Sequence, residues 1–531
     1  MKMARITAGV SAAALALALS GCTGGNSGGQ TADGETAVGA TFTMGTAADP
    51  GNLDPQASAA TALFQLTQFA YDSLLSIDAE GVIAGQLATE WTVEGNSVRL
   101  TLNEGITCSD GTPFTAVDAA ANIAWVADPA NESPMLGTFL PSGATASADS
   151  DTALTIELAS PAPFVLNGLA VLPMVCGNAI EDRSVLAAET RGTGPFVLTE
   201  AAQGDRYVYE VRDGYTWGPA GATSAIEGLP AEIVVQVVSN ETTAANLLLS
   251  GELNAAIVSG ADSARLEAAN LFFAETPAIV GEMWFNQSGE RPMTDPDVRR
   301  ALVQALDLNQ LLGVLTSGRG TAATTFAPGE PTACPGDSIT DFLPEHDLDA
   351  AAALLDDAGW EVGAGGIRSK NGVPLAVTFV QAAGGGDGNS AAAELAVQVW
   401  TELGVQVTSE AQEETTVIET LFSTGDWDVA WVPLNVSSPD QLVAFLSGPS
   451  TLDGGSNFGH IDNPDYQAAV ESASALLGPE SCKDWLKAES ALVRDVDVIP
   501  FANQLGQSFG SGATFESLGL ILPMSIRMLT Q

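Results

Sequence analysis

Ala391-Ala392-Ala393-Glu394-Leu395-Ala396-Val397-Gln398-Val399-Trp400-Thr401-Glu402-Leu403-Gly404-Val405-Gln406-Val407 carries both periodicities of the fold in one continuous run. Ala391 to Leu403 reads as a helix, and Gly404 is a C-terminal stop because glycine enters the left-handed region freely. Val405-Gln406-Val407 then alternates as a strand does. A helix that hands over directly to a strand is the building unit of α/β folds.

The same signals recur on either side of this run. From Pro296 to Leu312 the positions Val298, Ala301, Leu302, Ala305 and Leu306 follow helical spacing, with Asp295 at the cap and Pro296 in the first turn. This apolar face predicts core. A further helix spans Leu348 to Ala358 and stops at Gly359, and the glycine stretches Gly363 to Gly366 and Gly384 to Gly388 read as loops. Val98, Leu100 and Leu102 alternate as a half-buried strand, and Ile233 to Val238 reads as a buried one. Strand and helix character are mixed throughout, which predicts an α/β class, and no internal repeat is present.

At the N-terminus, Lys2 and Arg5 precede an apolar run from Ile6 to Leu19, then Ser20, Gly21 and Cys22. This is the pattern of an export signal over residues 1–21. It is shorter than the roughly 20 apolar residues a spanning helix needs. Leu19-Ser20-Gly21-Cys22 resembles the bacterial lipobox, which implies cleavage before Cys22 and a diacylglyceryl group on its thiol. Two acyl chains anchor a protein stably. Residues 22–39 then form the lipidated cysteine and a flexible tether, rich in Gly, Ser and Asn from Thr23 to Thr36. The expected location is the extracytoplasmic face of the bacterial cell membrane.

The chain has 531 residues, 65 acidic and 18 basic side chains, and a net charge of −47. Removal of Lys2 and Arg5 with the leader leaves 16 basic residues against 65 acidic ones, a net charge of −49. A chain so short of Lys and Arg is excluded as a nucleic-acid binder. The acids are dispersed, as a solvated surface requires. Four cysteines remain after Cys22, an even number for an exported chain, and they predict two disulfides. Cys108 with Cys176 and Cys334 with Cys482 is the preferred pairing among the alternatives, because each pair then lies in one structural region. Their spacing does not suit zinc, and the two histidines, His346 and His460, lie far apart.

Signs of catalysis are weak. Gly506-Gln507-Ser508-Phe509-Gly510 matches the GxSxG pattern, but a nucleophile elbow must be followed by an acid and then a histidine, and residues 511–531 contain no Asp or His. No lysine follows a glycine, so no phosphate loop is present. The expectation is a binding protein without cofactor, metal or catalytic residues; a secreted hydrolase built on Ser508 is the alternative of another class.

Several segments, in order, resemble the extracytoplasmic solute-binding proteins of the oligopeptide, dipeptide and nickel group, family 5. They include Tyr71-Asp72-Ser73-Leu74-Leu75, Leu87-Ala88-Thr89-Glu90-Trp91 and Ser109-Asp110-Gly111-Thr112-Pro113-Phe114-Thr115-Ala116-Val117-Asp118. Gly192-Thr193-Gly194-Pro195-Phe196, Asp297-Val298-Arg299-Arg300-Ala301-Leu302, Leu354 to Trp360 and Gly425-Asp426-Trp427-Asp428 follow. The resemblance implies a two-lobed periplasmic-binding-protein fold of the large, three-region type. Lobe I would comprise 40–75, 191–285 and 500–531, the accessory region 76–190 and lobe II 286–499. It also implies a monomer that captures oligopeptides or dipeptides and delivers them to the permease and ATPase subunits of an ABC importer. An oligosaccharide or another small polar metabolite is the alternative cargo.

Most of these motifs read as structural: Asp110-Gly111 as a turn, Asp118 and Asp295 as helix caps, Arg299 as a surface or lobe-bridging charge. In peptide-binding relatives a tryptophan is followed by an acid that pairs with the peptide ammonium. Trp431 matches that tryptophan, whereas the place of the acid falls on Leu434 or Asn435. The implied ligand contacts are Trp431 as a pocket wall, Asn435 as a hydrogen-bonding group and Asp440 as the substitute acid, the last with a helix-cap role equally open.

Overall fold

The computed structural model describes residues 34–530 other than 59, 79–80, 259–261, 364 and 384–385. The signal, Cys22 and most of the tether lie outside the described residues.

One mixed sheet of ten strands runs through the molecule. From one edge its order is Gln406–Gln412, Ala376–Ala382, Val429–Trp431, Phe272–Phe285, Val498–Gly510, Ala255–Ile257, Thr41–Thr46, Glu232–Val237, Arg206–Val211 and Phe196–Ala202. The first three strands are mutually parallel, as are Thr41–Thr46 and its neighbours Glu232–Val237 and Ala255–Ile257. Between these halves lie two long antiparallel strands, Phe272–Phe285 and Val498–Gly510, paired along almost their whole length. At one end they join Val429–Trp431 and at the other Ala255–Ile257, so they connect the two lobes.

The ladder between these strands is interrupted at their middle. Register shifts between Ile279 and Gly281 and again between Gly281 and Glu282, where the partners pass from Asn503 through Ala502 to Pro500. Pro277 and Pro500 each withhold a donor from the ladder. A Cβ on Gly281 would lie 2.6 Å from the Phe501 ring, so only glycine admits this close approach. A bulge of this kind bends a strand locally.

Separate apolar cores lie on the two sides. One gathers residues from Met283 to Ala502, including Trp284, Trp400, Trp427 and Trp431. Another is built around Phe42, Phe69, Tyr209, Ile233 and Phe515. A third belongs to a four-stranded antiparallel sheet, Ala88–Glu94, Ser97–Leu102, Ala153–Glu157 and Thr145–Ala148, covered by the helix Ala116–Ala127. Val98, Leu100 and Leu102 all face this core.

The helix expected from Ala391 begins earlier, spanning Gly386–Glu402, so Gly386 to Gly388 are helical and not loop. Gly404 follows it with φ +94°, and the strand Gln406–Gln412 comes next. The helix expected over Pro296 to Leu312 is two helices, Pro296–Gln304 and Leu308–Leu315. Asp307 separates them: its carboxylate accepts the N–H groups of Asn309 and Gln310 and starts the second helix. The predicted apolar face, Val298, Ala301, Leu302, Ala305 and Leu306, belongs to the first helix and the residues that end it, and is buried throughout.

Asp295 caps as expected, accepting the Asp297 N–H. Thr115, not Asp118, is the cap of Ala116–Ala127; Asp118 lies in the first turn and accepts the Thr115 N–H in a capping box. Gly111 occupies the left-handed region in the turn after Cys108. Arg299 is neither at the surface nor between lobes. Buried, it pairs with Asp497 at 3.0 Å and donates to the Met293, Asp495 and Val496 carbonyls, all within one lobe. Disulfides join Cys108 to Cys176 and Cys334 to Cys482.

Candidate functional site

A cavity of about 600 Å³ opens where the lobes and the four-stranded region meet. Tyr71, Asp72, Leu518, Met524 and Arg527 wall it from the lobe carrying both ends of the described chain. Phe139, Asn167 and Pro173 wall it from the four-stranded region. Glu330, Pro331 and Ser437 come from the other lobe. The volume falls in the range of small-ligand pockets, and the wall is mostly apolar with a few polar groups, as such pockets are.

Asp72 is held by four donors: the Tyr215 hydroxyl at 2.8 Å, the Thr193 hydroxyl at 2.9 Å, the Trp217 indole N–H at 3.0 Å and the Gln86 amide at 2.6 Å. Burial raises its pKa against these bonds. Its lone pairs are filled by the protein, so its role is to fix the wall. Tyr71 beside it accepts the Arg191 N–H. Gly192 and Gly194 pass so close to Ala70 and Tyr71 that a Cβ at either would come within 2.5 Å of these residues. The motifs Tyr71 to Leu75 and Gly192 to Phe196 thus meet to form one face of the cavity.

The three expected ligand contacts are not brought together there. Trp431 is 3% exposed and packs between Phe379 and Phe501, with ring centroids 5.0 and 5.2 Å away. It alternates onto the core face of its strand, in register with Met283. Asn435 is committed to the backbone: its Oδ1 accepts the Ile279 N–H at 2.7 Å and its Nδ2 donates to the Ile279 carbonyl at 3.0 Å. It ties the loop after Val429–Trp431 to the bulge between the lobes. Asp440 lines a smaller crevice of about 230 Å³ between Phe164 and Trp485, where its Oδ1 accepts the Ser438 hydroxyl at 2.5 Å and burial raises its pKa. Ser438, not Asp440, occupies the cap of the short helix Pro439–Leu442.

Where the lost acid would stand, the Leu434 N–H donates to Glu282 Oε2 at 2.8 Å. Glu282 is fully buried, and burial raises its pKa to about 8, partly offset by the hydrogen bond from Leu434. Direct contacts join the two walls of this crevice. Phe164 packs on Trp485, the Gly478 N–H donates to the Pro163 carbonyl, and the Gln441 amide donates to the Thr138 carbonyl.

Ser508 does not form a nucleophile elbow. It sits in the regular strand Val498–Gly510, paired with Ile257 and Ala274, and its hydroxyl is 3.5 Å from that of Ser517. Among the described residues no cluster of His, Cys, Asp and Glu is arranged to hold a metal ion, and no helix is long and apolar enough to cross a membrane.

The model of the bacterial extracellular solute-binding proteins, family 5, matches residues 82–453. The chain belongs to this family. Family 5 proteins are extracytoplasmic binding proteins that capture small ligands for ABC permeases and are not enzymes. The chain is similar to protein XP55 of Streptomyces lividans, 26% identical over 495 residues that cover 87% of this chain and 83% of XP55. The glutathione-binding protein GsiB of Shigella flexneri is 29% identical over 336 residues, 62% of this chain and 61% of GsiB. A substrate-binding protein from Microbacterium hydrocarbonoxydans, solved with 4-hydroxybenzoate hydrazide, superposes with a TM-score of 0.72 at 24% identity, covering 92% of this chain and all of that one. The fold is therefore the two-lobed family 5 type.

Reading the residues alone missed Arg527, Glu330 and Phe139 as cavity wall. None sits in a motif. Their only signal is their convergence in space.

Proposed function

We propose that this chain is the capture subunit of an ABC importer for short peptides, anchored outside the membrane through a lipidated Cys22 and acting as a monomer. The carrying observation is the cavity of about 600 Å³ with walls from all three regions. A ligand that fills it touches both lobes at once, so it has higher affinity for the closed state, and differential affinity of this kind drives closure. The paired strands Phe272–Phe285 and Val498–Gly510, with their bulge at Gly281, are the hinge in this reading. Lobe I is then 40–75, 191–285 and 500–531, lobe II 286–499, and residues 76–190 the accessory region.

A peptide suits the wall better than a sugar does. Phe64, Phe139, Leu518, Leu520 and Met524 offer apolar surface to side chains, whereas an oligosaccharide calls for a polar rim around each hydroxyl. Among the acids that line the cavity, which include Asp78 and Glu516, Glu330 comes from the segment assigned here to lobe II and is the ammonium partner in this reading.

The test is native mass spectrometry of the form beginning at Thr23, purified from its own host and then denatured. Release of peptides of a few residues supports the proposal. Release of a sugar or another amine-free metabolite overturns the peptide assignment. For the anchor, Cys22→Ser should move the protein from the membrane to the soluble fraction; retention at the membrane would refute lipidation.

A further inference from the structure

We propose that Arg527 receives a carboxylate of the captured solute, so that the cavity selects apolar ligands bearing a carboxylate end. The inference rests on the reading of the cavity as the capture site and adds the chemical class that the site recognises.

Its basis is the pairing of charge across the chain. Acids outnumber bases 65 to 18, so an arginine on this protein rarely lacks a carboxylate. Arg99, Arg183, Arg191, Arg206, Arg265, Arg291, Arg299, Arg319, Arg368 and Arg494 each form an ion pair. Among the described arginines only Arg212, Arg300 and Arg527 do not. Arg212 is spent on the Thr107, Cys108 and Thr193 carbonyls, and Arg300 donates to the Arg494 carbonyl away from the cavity. Arg527 is the one described Lys or Arg that lines the cavity.

The guanidinium of Arg527 is held from behind. One terminal nitrogen, Nη1, donates to the Met524 carbonyl at 2.9 Å and the Ile526 carbonyl at 2.7 Å. Its stem lies against Gly228, where an added Cβ would come within 3.2 Å of Arg527 Cδ. Among the described residues Nε and Nη2 have no hydrogen-bond partner, and this is the edge that binds a carboxylate in two parallel bonds. A half-buried guanidinium fixed at one nitrogen has lost water and side-chain freedom before any ligand arrives, which favours an incoming anion. Burial lowers its pKa and Glu516 opposes that shift without forming an ion pair with it. Beside Glu516 and Ser525, the wall next to Arg527 offers the apolar surface of Leu522, Pro523 and Met524, so the complementary ligand carries apolar groups next to its carboxylate.

The probes are trileucine and trileucine amide, which differ at the carboxylate and little elsewhere. Binding to the full mature chain is measured by calorimetry in detergent for the wild type, Arg527→Gln and Glu516→Gln. Trileucine is expected to bind at least tenfold more tightly than its amide to the wild type, since charge-assisted hydrogen bonds to a preorganised guanidinium are strong. In Arg527→Gln the two affinities should converge. In Glu516→Gln, with the competing acid neutral, trileucine should bind more tightly and its amide as before. The ratio of the two affinities is read on the folded fraction, so partial unfolding of a variant does not obscure it. Equal binding of both probes to the wild type, or a ratio unchanged in Arg527→Gln, overturns the role of Arg527 and leaves peptide capture standing. Failure of both probes to bind overturns peptide capture and the role of Arg527 with it.

Discussion

Glu282 and Leu434 are joined where the long paired strands meet Val429–Trp431: the Leu434 N–H donates to Glu282 Oε2 at 2.8 Å, while Oε1 of the same carboxyl is buried with no partner among the described residues. An ionised carboxylate in that position would leave charge unsolvated in the interior, so the neutral form is favoured and the pKa rises to about 8. A carboxyl that is more basic folded than unfolded binds more protons in the native state. Its contribution is full below the unfolded value near 4.5 and is lost as pH rises through about 8. Glu282→Gln keeps the acceptor for Leu434 and removes the titration. Urea midpoints measured from pH 5 to 9 should fall with pH more steeply in the wild type than in the variant, and parallel curves would refute a neutral Glu282.

Gly281 sits beside Glu282 in the irregular register of the same strand pair. A methyl group there would lie 2.6 Å from the Phe501 ring, which is itself packed against Trp431. Gly281→Ala should therefore destabilise the protein by about 1–3 kcal/mol, the usual range for overpacking a filled core. The loss is read from denaturant midpoints. An unchanged midpoint would mean that the Phe501 ring moves freely and the bulge is not closely packed.

Much of the architecture was legible because its signals are local. Asp295, Gly359 and Gly404 mark helix ends through chemistry that needs no tertiary partner. The break at Asp307 escaped because apolar spacing continues through it into Leu311 and hides the cap. The long paired strands escaped for the opposite reason: Pro277, Gly281, Pro500 and Gly506 are poor strand residues, and pairing along almost the whole length of both strands overrides their local preference. This is also why Gly506 to Gly510 imitated a catalytic loop. At the site, resemblance located Trp431 along the chain but could not tell which face of the sheet its side chain takes, and alternation turns it into the core. Asn435 looked available because its bonds run to Ile279, far away in sequence. Arg527 had no sequence signal at all, since being unpaired is a property of the folded charge distribution.

The disulfides close loops with sequence separations of 68 and 148 residues. Constraint of the unfolded chain by loops of this length amounts to about 4–5 kcal/mol each in the chain-entropy account. Cys334→Ser with Cys482→Ser should lower the unfolding temperature, and the same should hold for Cys108→Ser with Cys176→Ser. The Cys334 pair adjoins the packing of Phe164 on Trp485, so its loss should also raise proteolytic susceptibility near residues 333–338. An unfolding temperature equal to that of the wild type in both double variants would show that the bridges do not restrain the unfolded chain.

Asp72 gives the sharpest test of how the cavity wall is held. Its two oxygens accept bonds from Tyr215, Thr193, Trp217 and Gln86, residues drawn from distant parts of the chain. Asp72→Asn keeps the size but turns one acceptor into a donor, so donor faces donor inside a buried cluster. Leaving a buried polar group unsatisfied costs about 1–3 kcal/mol, more for bonds to a charged group. The variant should lose at least that much stability, and Asp72→Ala no less, since it strands all four donors. Ligand affinity should fall alongside stability, because Tyr215 and Gln86, both in the cavity wall, lose their anchor. A stable Asp72→Asn protein with weakened ligand binding would instead assign Asp72 to direct contact with the ligand, against the saturation of its lone pairs by the protein.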